Sequence, residues 1–232
     1  MDTHTTAPEQ IAAMQPTSAT QRAYLTIRRM ILTGELTPGE KLKIERLRKL
    51  LDTGASPIRE ALSLLTSDYL VERHDQRGFR TAATSQQNFD EILRLRCALE
   101  EMALRESVAR ADDNWEEQLV LSHHRMVRAP RSDVEKFEEE HKAFHMALLA
   151  ASKSQVLLKF CNQLYDLNIR YRYLAVRSSG YRTRDVATEH AGILDAAVRR
   201  DADLAAERLL SHYRKTGAFL AELLGAQESA DA

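Results

Sequence analysis

Apolar positions return at helical spacing through most of the chain, and only one short stretch alternates like a strand. Tyr24, Ile27, Ile31 and Leu32 predict an amphipathic helix that ends at Gly34. Leu36 to Leu42 reads as a turn feeding a second helix over Ile44 to Leu51. Ile58, Ala61, Leu62 and Leu65 define a third helix from Ser56 to Asp68. Ser56 is its expected N-cap, and Pro57 its first helical position, where a missing N–H costs nothing. Two short strands follow, Tyr69 to Val71 and Phe79 to Ala82, joined by the turn Asp75-Gln76-Arg77-Gly78. After a linker near Thr84 to Asn88 the strand pattern stops. Helices are then expected over Phe89–Ala111, Asn114–Val127, Ser132–Ala151, Ser154–Arg177, Arg184–Arg200 and Asp203–Leu224. Ser132 with Glu135 three residues on makes a capping-box start, and Ser178-Ser179-Gly180 is a break.

This pattern divides the chain into a polar tail (1–18), a helix-turn-helix unit with a hairpin wing (19–84), an antiparallel six-helix bundle (85–225) and a short tail (226–232). Only 8 glycines and 5 prolines in 232 residues agree with a mostly α fold. Cys97 and Cys161 form no spaced metal or redox motif, so a reducing cytoplasm is the expected compartment. Neither a long apolar run nor a signal-like start is present, so no membrane partner is expected.

Charge adds a functional direction. The whole chain is near neutral, but from Ala19 to Ser85 basic residues outnumber acidic ones twelve to eight. A basic head on an acidic body suits double-stranded DNA as a partner. Arg59, in the first turn of a helix beginning at Ser56, is placed to enter a major groove. Arg46, Arg48 and Lys49 on the preceding helix are phosphate candidates, and Arg77 with Gly78 at the wing tip suits the minor groove. Arg59 could instead pair with Glu60 or another neighbour.

The bundle carries different chemistry. His141 and His145 lie one helical turn apart, so both imidazoles can face one metal ion. His190 and His212 fall on bundle-facing positions of the last two helices. Four histidines would suit a divalent cation, Zn²⁺ first and Ni²⁺ or Mn²⁺ as alternatives. The bland reading is coincidence on a helix surface, as expected for His123 and His124. Arg170-Tyr171-Arg172-Tyr173 is unusual among apolar neighbours, and Arg172 stands one turn from Asn168 and two from Tyr165. At least one of these arginines should face inward, where a guanidinium matches a carboxylate. Against an enzyme, no His-Glu-x-x-His word is present, and Glu189 points about 100° away from His190 on a helix.

Gly54-Ala55-Ser56-Pro57-Ile58-Arg59-Glu60-Ala61-Leu62, followed by the hairpin, resembles the winged helix-turn-helix domain of the GntR family of bacterial transcription regulators. Phe144-His145, Glu189-His190-Ala191-Gly192-Ile193 and Leu209-Leu210-Ser211-His212 resemble the histidine motifs of the FCD ligand-binding domain, which defines the FadR subgroup. Arg96-Cys97-Ala98-Leu99-Glu100 is similar to the Arg-x-x-Leu-Glu word of its first helix. The resemblance implies an FCD-like bundle behind a winged helix-turn-helix, a homodimer, usually a repressor, and a small carboxylate effector gripped by the metal and Arg96. Arg172, Arg170, Asn168 and Tyr165 are the further ligand-site candidates. The Arg-Tyr-Arg word resembles the carbon-starvation-induced, glutarate-responsive subgroup, which implies a short dicarboxylate. Two departures stand out: Gly54-Ala55 replaces the family's usual Ser-Arg pair, and His141 stands where Asp or Asn is expected. The competing readings are a constitutive dimeric DNA-binding protein with a structural metal, and a histidine-cluster metalloenzyme.

Overall fold

Ser18 accepts the Gln21 N–H at 3.1 Å and so caps the first helix, α1 (Ala19–Leu32), in a computed structural model that describes residues 18–176 and 186–230. The expected tail before Ser18 and the break at 178–180 lie outside those residues. Five positions of α1, Ala23, Ile27, Met30, Ile31 and Leu32, are buried, and the helix packs on α3 (Ala55–Ser67), which also packs against α2 (Ile44–Leu51). The wing strands β2 (Val71–His74) and β3 (Gly78–Thr81) are joined by a third, β1 (Lys41–Leu42), in antiparallel order β1-β3-β2. Leu36 to Leu42 is therefore more than a turn. Its last two residues pair with Phe79 and Arg80, and the Glu40 N–H and carbonyl are both taken by Thr81.

Two caps differ from expectation. Gly54, not Ser56, caps α3. The cap and first helical residue fall two positions earlier, and the Ser56 hydroxyl donates to Glu60 at 3.2 Å. Pro57 is tolerated there because no N–H of a first helical turn has a partner within the helix. β2 begins two residues late because Tyr69 (φ 60°) and the Leu70 N–H bonded to the Leu65 carbonyl still belong to the end of α3.

The second half contains six α-helices among the described residues: α4 (Gln86–Ala109), α5 (Asp113–Arg128), α6 (Val134–Leu149), α7 (Gln155–Val176), α8 (Val186–Val198) and α9 (Ala202–Ala230). Asp133 rather than Ser132 caps α6, because its carboxylate accepts the Lys136 N–H at 2.9 Å. Glu135 is drawn instead into a 2.9 Å pair with Arg29 of α1. The last helix runs to Ala230, past the predicted stop at Leu224. Leu104, Trp115, Leu119, Phe144, Leu148, Ile193 and Leu209 fill the bundle core.

Head and bundle are not separate packing units. Tyr165 and Ile169 of α7 belong to the same buried cluster as Ile27, Leu47, Ile58, Leu62 and Leu65 of the head. Arg28 of α1 pairs with Asp166 of α7, and Arg170 donates to the Ala82 carbonyl at 2.7 Å. Leu62 is fully buried at the centre of this shared cluster, whereas Leu64 is half exposed. Leu62→Ala is expected to lower unfolding free energy by about 2–5 kcal/mol in urea titrations, and Leu64→Ala by about 0.5 kcal/mol or less. Equal effects would contradict the shared core.

Candidate metal centre and nucleic-acid interface

In the head, α3 presents Arg59 outward near its N-terminal end, one turn in from Ala55, with Ile58, Ala61 and Leu62 buried behind it. Arg46 and Arg48 on α2 are exposed but already carry carboxylate partners, Glu40 at 2.6 Å and Glu45 at 2.9 Å. A phosphate would exchange with these exposed pairs at small cost, since surface ion pairs are worth little. Lys49 is also exposed on α2. Arg77 and Gly78 form the exposed tip of the wing. Gly78 has φ +87° and nothing within 4 Å of an added Cβ, so its need for glycine comes from backbone conformation rather than crowding.

In the bundle, α6 contributes His141 and His145, α8 contributes His190, and α9 contributes His212. All four rings are buried. One candidate donor atom from each lies within 4.8 Å of all the others. The Nε2 atoms of His141, His145 and His190 form a triangle with edges of 3.1, 3.2 and 3.3 Å. For Zn–N bonds of about 2.0–2.1 Å, a tetrahedral site needs edges of about 3.3–3.4 Å, so the donor set fits a small divalent cation.

The outer partners of His145 and His212 favour one tautomer of each ring. Tyr213 donates to Glu100, so its oxygen accepts Nδ1–H of His145 at 2.9 Å. His212 gives its Nδ1–H to Glu189 at 2.8 Å. Both rings are thereby left with the Nε2 lone pair, the form that ligates. Glu189 thus belongs to the site through a ring on another helix, although its helical angle turns it away from His190.

His141 is held differently. Arg172 Nη1 lies 3.0 Å from its Nδ1, and the Tyr165 hydroxyl lies 2.5 Å from the same atom. A guanidinium only donates, so the Arg172 contact favours a lone pair on Nδ1 and a proton on Nε2. His141 therefore differs from His145 and His212 in the form this environment selects. Burial, followed by Arg172 and the neighbouring imidazoles, pushes its pKa well below the ordinary histidine value. Burial and adjacent cationic or imidazole groups do the same to His145 and His190.

Two buried ion pairs flank the cluster. Arg96 donates to Glu100 at 2.6 Å, to Asn168 at 2.8 Å and to Tyr213 at 3.1 Å, with its guanidinium between the rings of Tyr165 and Tyr213. Arg172 donates to Glu138 at 2.8 Å, and burial raises the Glu138 pKa. Arg96, Arg172, Asn168 and Tyr165 therefore gather around the histidines. Arg170 does not: it is buried at the junction with the head, because two residues from Arg172 is a rotation of about 200° around α7. His123, expected to be a surface coincidence, packs edge-on against Phe144 at 5.2 Å between centroids, with a buried Nε2. Glu100, Glu138 and Tyr213 were not visible from spacing as cluster partners. Only the i,i+4 step from Arg96 to Glu100 hinted at one pair.

The buried imidazoles set a pH response. The unfolded chain takes up protons below about pH 6.5, whereas the folded bundle resists, so metal-free stability is full above that value and falls as pH drops through it. Urea midpoints of chelator-treated protein should decrease steadily from pH 7 to pH 5, and His145→Gln should reduce that slope. Equal slopes would mean that the imidazoles protonate inside the folded bundle.

Residues 19–80 match the bacterial regulatory proteins of the gntR family, and residues 91–215 match the FCD domain. The chain is 34% identical to the HTH-type transcriptional regulator BphR of Paraburkholderia xenovorans, covering 84% of this chain and 82% of that one. It is 30% identical to the HTH-type transcriptional repressor GlaR of Escherichia coli, covering 82% and 90%. Among solved structures, Escherichia coli McbR/YncC superposes with a TM-score of 0.78 over 89% of this chain and 99% of that one, at 21% identity. Its relatives are regulators rather than enzymes. A winged helix-turn-helix joined to a six-helix bundle, with these two matches in order, makes the chain a member of the GntR family of DNA-binding transcriptional regulators, with an FCD domain as its C-terminal half.

Proposed function

We propose that this regulator is a homodimeric repressor in the cytoplasm whose hold on its operator is set by a short dicarboxylate, bound beside a divalent cation at His141, His145, His190 and His212. The observation that carries the reading is the convergence of four buried imidazoles on a point flanked by the buried guanidiniums of Arg96 and Arg172. A cation there, with Zn²⁺ the first choice for imidazole donors, supplies Lewis acidity toward a carboxylate oxygen.

Charge balance favours a dianion. Arg96 with Glu100 and Arg172 with Glu138 are neutral as pairs, and His141, His145 and His190 are held neutral by burial. A divalent cation therefore brings two uncompensated positive charges into a low-dielectric site, which two carboxylates offset better than one. Arg96, fixed by three hydrogen bonds, orients the distal carboxylate. Arg172 is the movable grip, since it must exchange Glu138 or His141 for the ligand.

The cavity beside Arg96, His141 and Arg172 measures about 10 Å³, room for about one water. An acid of several carbons therefore enters only if the surrounding helices shift. α7 carries Tyr165, Asn168 and Arg172 toward the site and Tyr165, Asp166 and Ile169 toward the head. Displacement of α7 moves the head, which gives effector and operator a common two-state element. The same tight packing favours the second reading, a closed four-histidine structural metal in a constitutive DNA-binding protein.

Arg59→Ala should lower operator affinity by about 1–3 kcal/mol in fluorescence anisotropy, with bundle stability and metal content unchanged. Retained affinity would remove α3 from the groove. A panel of short mono- and dicarboxylates should raise the melting temperature of metal-loaded protein, most for one dicarboxylate. The shift should vanish after chelation and in His145→Ala, which should also lose bound metal. Metal-dependent stability without a response to any acid would establish the structural-metal reading instead.

A further inference from the structure

We infer that Leu93 on α4 and Gly217 on α9 gauge the length of the effector, because they form the yielding wall of the cavity beside the histidines. This inference rests on the effector reading above and assigns it a specificity-determining pair. The polar sides of the cavity are Arg96, His141, Asn168, Arg172, His212 and Tyr213. The remaining side lies where α4 packs on α9, and is made by Leu93, Thr216 and Gly217. Among the described residues that line the cavity, Leu93 supplies the aliphatic side chain.

The polar sides are pinned. Arg96 is held by Glu100, Asn168 and Tyr213, Arg172 by Glu138, and His212 by Glu189. Moving any of these strands a buried donor or acceptor, which costs the full desolvation of that group. Leu93 has no such tie. It lies at the seam of two apolar clusters, one around Leu104 and Phe144 and the other around Phe89 and Leu220. Its contacts are dispersion contacts, each small by itself. Opposite it stands Gly217, where an added Cβ would collide with the Leu93 Cδ2 methyl and stand 3.6 Å from its Cγ. Glycine weakens a helix interior, so its presence in α9 is explained by this close approach of the Leu93 tip.

A dicarboxylate is polar at both ends and apolar between them. Its carboxylates go to the cation and to the guanidiniums, so its methylenes need an apolar neighbour. Leu93 and Gly217 form the side that carries no charge. The cavity must also grow, since it holds about one water. A leucine tip resting on a glycine is the group that can withdraw without breaking a hydrogen bond. How far that tip retreats sets how many methylenes the site admits, and the hydrogen-bonded sides stay in place.

Calorimetric titration of the full, Zn²⁺-loaded chain with straight-chain dicarboxylates from succinate to suberate tests this. The wild type should prefer one length. Leu93→Ala should move the preference to a longer acid, changing the affinity ratio between the two by about tenfold or more. Adding Gly217→Ala to Leu93→Ala puts a methyl back where the leucine tip lay, and should return the preference toward the wild-type length. Leu93→Val takes the place of Leu93→Ala if that variant fails to fold, with a smaller shift in the same direction. The gauge would be overturned, with the effector reading intact, by a wild type that binds every length equally or by a Leu93→Ala preference unchanged from wild type. An equal loss for every acid in Leu93→Ala, or a double variant no different from it, would overturn it too. A wild type that binds none of the acids would overturn both.

Discussion

Tyr165 is the residue on which the two halves of the molecule depend. Its ring is buried in the core that the head builds from α1, α2 and α3, and its hydroxyl lies on Nδ1 of His141 at 2.5 Å. Arg96 sits over its face at 4.6 Å. One side chain therefore fills the base of the DNA-binding unit and sets the edge of the histidine cluster. Neither packing nor polar contact can change alone, because a close-packed interior passes displacement to its neighbours rather than absorbing it.

Around that residue the bundle keeps an unusual amount of polarity under cover. Arg96, Glu100, Glu138, Arg172 and the four histidines are all buried. Desolvation would make such groups costly one at a time, and each is offset by a specific partner. The carboxylates neutralise the guanidiniums, while burial holds His141, His145 and His190 uncharged. The result is an interior that is neutral yet dense in ligand atoms. It is poised to gain most from a cation and an anion arriving together.

Helix periodicity made the outline of this arrangement legible, along with its principal donors. His141 and His145 share a face because 3.6 residues make a turn, and His190 and His212 fall on apolar stripes that can only point inward. The caps were less legible. Ser56 and Ser132 both have cap chemistry, but Gly54 and Asp133 occupy the cap positions, since tertiary contacts decide where the first turn closes. Arg170 and Arg172 are the same residue type two positions apart, and a rotation of about 200° sends one to the head junction and the other to the histidines.

The amino-acid sequence by itself determined the helix-turn-helix with its wing, the six-helix bundle, the four converging histidines and the exposed Arg59, because each follows from local periodicity and side-chain chemistry. Only the tertiary structure decided which carboxylate answers which arginine, that Glu189 orients His212, that Arg172 leans on His141, and that head and bundle share one core. Those facts join residues dozens of positions apart. Spacing along a helix says which way a side chain points, but only the packing of helices says what it meets.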